Sequence, residues 1–185
     1  MSTIDIFHQL IKDSAKVPVT DHYSKKKVIL KEPKHTESSA TIYGLPEKVI
    51  IIKADAFKSP DSVFSGSMGE CKRADFVIAA EADNKKVILC IEMKAKTKKE
   101  NIIIQQLKGA HCFVLYCREI VRKFRNEKNF LEGYIFRFIS IGHTGIPKRK
   151  TRIDRNKSSV HDSPEKMLKV NSPNHLQFNQ LAGAK

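Results

Sequence analysis

Two acids and a lysine stand out in this chain for the chemistry they offer together: Asp75, sixteen intervening residues, then Glu92-Met93-Lys94. Residues 74–80 (Ala-Asp-Phe-Val-Ile-Ala-Ala) and 87–93 (Val-Ile-Leu-Cys-Ile-Glu-Met) read as two strands joined through Asp83-Asn84, a hairpin turn. If those two residues form the loop, Ala82 pairs with Lys85. Counting outward then sets Asp75 opposite Glu92 and Arg73 opposite Lys94. Directly opposed residues share a face with Cβ atoms about 5 Å apart, and alternation adds Lys94 to that face. Opposed like charges destabilise a hairpin, so this pair has no reason of stability to be there. A divalent cation relieves the conflict. Magnesium takes carboxylate oxygens and keeps several waters, one of which can become an attacking nucleophile. The competing reading is a pair of frayed strand ends neutralised by Arg73 and Lys94, an arrangement worth little at a surface.

The elements that must position these residues are legible on either side. Ile4, Ile6, Phe7, Leu10 and Ile11 share one helical face, and Val17-Pro18-Val19 ends that helix. Residues 24–36 are open between a strand and a surface loop. Val49–Phe57 reads as a strand closed by Ser59-Pro60-Asp61. Ser65-Gly66-Ser67-Met68-Gly69 suits a connecting loop or a substrate-contacting one; it lacks the spacing and terminal Lys-Ser or Lys-Thr of a phosphate-binding loop. The hairpin strands are apolar on both faces, which predicts a sheet covered by helices on each side. Thr97-Lys98-Lys99-Glu100 fits a capping box, predicting a helix that starts at Lys98 and runs to about Phe124. Its buried stripe is Ile103, Leu107, Ala110, Val114, Cys117 and Val121, with Gly109 marking close packing against the sheet. Tyr134–Ile141 is the last strand. The expected fold class is α/β, a central mixed β-sheet flanked by helices in the order helix, strand, strand, strand, helix, strand.

That order, together with Asp75 and Glu92-Met93-Lys94, resembles the PD-(D/E)xK nuclease superfamily, whose restriction-endonuclease-like core has the αβββαβ arrangement. The resemblance covers roughly residues 1–141, and Ala74 stands where the family name implies proline. It implies that Asp75 and Glu92 bind the metal, that the Met93 carbonyl ligates it too, and that Lys94 orients or activates the attacking water. It also implies a glutamine in the following helix, for which Gln106 is preferred over Gln105, and an additional upstream acid, Glu70 with Glu47 behind it. The implied activity is Mg2+-dependent phosphodiester hydrolysis, with Mn2+ able to substitute.

Composition points the same way. Against 20 acidic residues stand 34 Lys and Arg, a net charge of +14, and the pI is near 9.7. Such an excess predicts a polyanion partner, nucleic acid ahead of a membrane surface; taken together with the motif and the expected topology it favours DNA over RNA. Arg73, Lys96, Lys98, Lys99 and Lys108 lie near the motif as phosphate contacts or as a solvated helix flank. Lys148, Arg149, Lys150 and Arg152 open a basic stretch suited to salt-sensitive backbone contact or to a sorting signal. The apolar runs Val49–Ile52 and Val87–Ile91 are far shorter than the roughly 18–20 residues of a membrane span. The opening residues lack the pattern of a secretory signal and the four cysteines lack a disulfide framework, which predicts an intracellular setting.

The chain divides into a nuclease-like core at 1–145 and a basic C-terminal segment at 146–185, with short helices around 164–170 and 175–181. Cys90, Cys112 and Cys117 read as buried thiols rather than zinc ligands, His143 and His161 as surface histidines, and Phe178 as a packing residue ahead of a base-stacking one. Two further functions stay open: a catalytically silent nucleic-acid-binding protein, and a subunit active only in an assembly. Cutting both strands needs two sites or two visits, which a homodimer or larger assembly supplies.

Overall fold

The computed structural model describes residues 1–32, 35–82, 85–94, 99–142, 160–171 and 175–183. The chain is α/β, with few helices and two mixed sheets. In chain order the elements are α1 (Thr3–Leu10), β1 (Thr20–His22), β2 (Lys25–Glu32), β3 (His35–Leu45), β4 (Lys48–Lys53), β5 (Phe76–Ala82), β6 (Lys85–Lys94), α2 (Glu100–Phe124), β7 (Ile135–Gly142), β8 (Leu168–Val170), β9 (Leu176–Gln177) and α3 (Phe178–Leu181).

One sheet has the strand order β4-β5-β6-β7-β8, antiparallel through β6 and parallel from there on. The other has the order β1-β2-β3-β9, with only its last pair parallel. The β5–β6 ladder runs from Phe76–Ile91 to Ala82–Lys85, the register expected from the sequence; the expected turn residues Asp83 and Asn84 lie outside the described residues.

The two faces of the larger sheet carry separate cores. Val77 and Ala79 of β5 with Ile88 and Cys90 of β6 pack under Leu107, Ala110, Val114 and Val121 of α2 and under Ile4 and Phe7 of α1. Every position of the expected α2 stripe is buried. The opposite face, where helices were expected, packs instead on the second sheet: Phe76, Ile78, Leu89 and Ile91 meet Val28, Leu30, Ala40 and Ile42. Residues 24–36, open between strand and loop, contain β2. Its buried residues Val28, Leu30 and Glu32 alternate with more exposed ones, as a strand half covered by a neighbouring sheet requires.

Boundaries moved where local bonds decided them. Helix α1 ends at Leu10, ahead of the Val17-Pro18-Val19 breaker, and starts at a capping box in which Ser2 and Asp5 each accept from the other's backbone N–H, at 3.2 and 3.0 Å. Strand β4 stops at Lys53 because the chain turns into a 3-10 helix at Ala54–Ala56, where the Ala54 N–H donates to the Asp75 carbonyl (2.9 Å). Helix α2 begins at Glu100 rather than Lys98, with Lys99 at the N-cap and no side-chain cap bond. The expected helix at 164–170 is a 3-10 turn (Pro164–Lys166) followed by β8, and 175–181 is β9 running into the single turn α3. Both strands add to sheets built from earlier residues, and Phe178 and Leu181 are buried between them. The packed unit therefore extends well past residue 145.

Candidate active site

Asp75 directly precedes β5, and Glu92 and Lys94 end β6, so the hairpin register alone brings them to one edge of the sheet. The backbone ladder stops at Phe76–Ile91. Asp75 extends it with its side chain: Oδ2 accepts the Met93 N–H at 2.7 Å, which fixes the carboxylate beside the residue separating Glu92 from Lys94. Burial pushes the Asp75 carboxyl up to about 6. The Met93 N–H and the Lys94 charge oppose that rise, and the charges of Glu32 and Asp55 add to it.

Glu92 and Lys94 are 1% and 3% exposed. They project to the α2 side of β6, the face shared by Ile88 and Cys90. Lys94 Nζ donates to Glu92 Oε1 and to Gln106 Oε1, the latter at 2.8 Å. Gln106 in turn donates from Nε2 to the Arg73 carbonyl at 3.1 Å. A continuous line thus runs from the β6 carboxylate through the lysine to the helix and back to the loop segment leading into Asp75. Of the two glutamines, Gln106 belongs to this line. Gln105 instead donates to the Met68 carbonyl (3.2 Å) and holds the preceding loop.

That loop lies against α2 because two glycines allow it. A Cβ on Gly109 would stand 2.0 Å from the Lys72 carbonyl oxygen, so the close approach inferred from the sequence is real but is made to the loop, not the sheet. Gly69, at φ +88°, lies under the Gln105 side chain, where a Cβ would come within 2.4 Å.

Several expected contributors are engaged elsewhere. Glu70 is exposed and accepts from Gly66 N, Met68 N and Ser65 Oγ at 2.9–3.2 Å; its own backbone N–H first, and then these bonds, hold its carboxyl below the usual range. It organises the loop. Glu47 is ion-paired with Lys26. The Arg73 guanidinium lies over the Phe57 ring (5.1 Å) and donates to the Lys72 and Lys58 carbonyls, so it braces the loop instead of standing beside Lys94. Lys108 pairs with Glu165 and Lys99 is exposed at the start of α2. Lys96, Lys98, Lys148, Arg149, Lys150, Arg152 and His143 lie outside the described residues.

Cys90 and Cys117 are buried thiols, and burial pushes the Cys117 thiol up to about 12. Cys112, by contrast, is exposed. His161 is buried rather than on the surface: its Nε2 lies 2.7 Å from the Leu181 carbonyl, and its own carbonyl accepts from Phe138 N. Among the described residues no three His, Cys, Asp or Glu side chains converge as a metal-binding group.

What the sequence did not disclose is a cleft of about 610 Å³ next to the site. It is lined by Val17, Pro18, Ile29, Ala56 and Phe76, together with Lys31, Glu32, Lys53 and Asp55. Asp55 lies in the 3-10 turn that follows β4, and Glu32 continues the buried Val28-Leu30 alternation of β2. The alternation was the available signal for Glu32, but without a settled strand at 24–36 it had no register.

No family model, curated protein or solved structure matches this chain.

Proposed function

We propose that this chain is a metal-dependent nuclease that hydrolyses phosphodiester bonds, in DNA ahead of RNA, at a centre built from Asp75, Glu92 and Lys94. The observation that carries the reading is the convergence of two carboxylates and a buried lysine at the open end of one hairpin, with Gln106 bracing the lysine from α2. Among the elements that build and cover the larger sheet, the order α1, β4, β5, β6, α2, β7, with β6 and β7 parallel, supports the resemblance to the αβββαβ core, although β1, β2 and β3 of the second sheet intervene between α1 and β4.

Asp75 and Glu92, with the Met93 carbonyl, would hold a magnesium ion. The fit rests on the donor set and on Asp75, whose carboxyl is raised by burial and by neighbouring acids, a situation that a cation relieves. Positions that Asp75 and Glu92 leave open on the ion would fall to water and to phosphate oxygens, the usual pattern for magnesium. When bound, the ion supplies Lewis acidity toward the phosphate and a more acidic water. Lys94 contributes fixed positive charge where negative charge develops on the phosphoryl oxygens. Gln106 holds the ammonium in place, and the Met93 N–H keeps the Asp75 carboxylate turned toward the same spot.

Mg2+-dependent cleavage of duplex, branched and single-stranded DNA and of RNA tests the proposal. Asp75→Asn and Lys94→Ala are each expected to lower cleavage at least about 100-fold, the scale seen when a charge-stabilising group is removed. Either variant cutting like the parent would place the chemistry elsewhere. The near-complete burial of Glu92 and Lys94 favours one rival, a silent nucleic-acid-binding protein on the same platform. It predicts salt-sensitive binding with no metal-dependent cleavage of any of these substrates.

A further inference from the structure

The second sheet turns one face inward, where Val28, Leu30, Ala40 and Ile42 meet the larger sheet. Alternation sends the residues between them to the opposite face. There β2 presents Lys27, Ile29 and Lys31, and the ladder sets Tyr43, Thr41 and Ser39 across from them in that order. On its other side Tyr43 pairs with Gln177 of β9. This face is open to solvent, with Ile29 49% exposed and Lys31 exposed at the end of the row.

Aromatic rings gather at the opposite end. His22 lies edge-on to Tyr43 at 4.9 Å, His175 lies parallel to Tyr43 at 5.7 Å, and Tyr23 meets His22 at 4.7 Å. With Lys25, Gly44 and Gln177 these rings line an open hollow of about 450 Å³. Tyr23 is 95% exposed and has φ +55°, a left-handed conformation that glycine or asparagine adopts far more easily. Neither packing nor backbone preference accounts for a tyrosine there.

Among the described residues Lys25, Lys27 and Lys31 form no salt bridge, whereas the neighbouring Lys26 pairs with Glu47. A row of cations whose partners across the ladder are uncharged is complementary to a polyanion. Rings beside such a row supply the two parts of a single-strand platform: bases stack on the rings, and phosphates follow the cations. In a duplex the base faces are covered by their neighbours in the stack, so only an unpaired strand engages both parts.

We propose that the outer face of the second sheet binds a single-stranded polynucleotide, with Tyr43 and its neighbouring rings stacking bases and Lys25, Lys27 and Lys31 taking phosphates. The proposal goes beyond the nuclease reading and does not depend on it.

Binding is measured in EDTA by fluorescence polarisation of an end-labelled oligothymidylate, an oligouridylate and an abasic strand of the same length. The parent is expected to bind a base-bearing strand at least about tenfold more tightly than the abasic one, the scale of one stacked base. Tyr43→Leu is expected to remove most of that preference and to leave affinity for the abasic strand unchanged. Tyr23→Asn combined with His175→Asn removes two rings at left-handed positions that asparagine tolerates, and covers the case that Tyr43→Leu melts early. Lys27→Gln combined with Lys31→Gln is expected to weaken all the strands alike and to lower the slope of log affinity against log salt by about 1.4, at about 0.7 per phosphate contact. Ring dependence on oligothymidylate, on oligouridylate or on both assigns the strand to DNA, to RNA or to either. Equal affinity of the parent for base-bearing and abasic strands would overturn the proposal. So would folded ring variants that keep the parent's preference, or lysine variants that keep its salt slope. Cleavage plays no part in this readout, so a failure of Mg2+ to bring cleavage would remove the nuclease reading and leave the platform standing.

Discussion

Asp75 is the residue at which structure and acidity are most tightly linked. Its carboxyl is raised from the ordinary 3.8 to about 6, chiefly by burial. A carboxyl raised by folding favours the folded state while protonated. In the metal-free protein that contribution is full below about pH 4 and is lost as pH climbs through about 6. Asp75→Asn keeps an oxygen for the Met93 N–H and removes the charge. In EDTA it is expected to be more stable than the parent at pH 7.5, by up to about 3 kcal/mol, with the gap narrowing at pH 5. Urea unfolding at the two pH values reads this directly, and a gap that widens on acidification would contradict it. Added Mg2+ should raise the melting temperature of the parent and not of the variant. The convergence of Asp75, Glu92 and Lys94 is readable because hairpin counting is a local rule, whereas Gln106 enters only through the family resemblance. Glu70 and Arg73 were not placed correctly because each found loop partners a few residues away, and nothing in their spacing to the motif reveals that.

At the scale of elements, α2 is the part that answers to both core and site. Its apolar stripe lies on the sheet while Gln105, Gln106 and Gly109 hold the loop before Asp75. Gly109→Ala tests which role dominates. Helix propensity alone favours alanine by about 1 kcal/mol. A methyl 2.0 Å from the Lys72 carbonyl oxygen must displace backbone, and overpacking of that kind costs about 1–3 kcal/mol or more. The variant is expected to be net destabilised and, on the nuclease reading, slower to cut, because the Arg73 carbonyl that receives Gln106 shifts with the loop. A variant more stable than the parent would show that the loop moves aside freely. The stripe of α2 was legible since 3.6-residue periodicity survives in any context. The second sheet was not. The same two-sided apolar strands serve a cover of helices or of strands, and only the alternation at Val28, Leu30 and Glu32 separates the cases.

For the molecule as a whole, the late segments complete both sheets. Strand β8 edges β7, β9 edges β3, and Phe178, Leu181 and Val170 are 0–1% exposed. Large buried side chains are each worth about 2–5 kcal/mol, against a total stability of about 5–15 kcal/mol. A chain cut at residue 145 is expected to show no cooperative melting transition in circular dichroism. Recovery of a sharp transition would instead make the first 145 residues a domain in their own right. The turn to basic composition after residue 145 suggests a division there, and composition says nothing about strands that return after such a stretch. The net charge of +14 belongs to this scale as well. Lys108 and Lys169 of that excess are occupied in pairs with Glu165 and Glu100 that fasten the returning segment to α2.

Those parallel edge strands carry a consequence for synthesis. A ribosome delivers β3 and β7 long before residues 168–177 exist, so the growing chain carries two unpaired sheet edges, each a template for pairing with other chains. Neither edge can be covered by local folding, because a parallel partner must return from a distant part of the sequence. The interval between the emergence of β7 and the arrival of β8 and β9 is thus the period in which this protein is most exposed to aggregation, and faster passage through residues 143–167 shortens it.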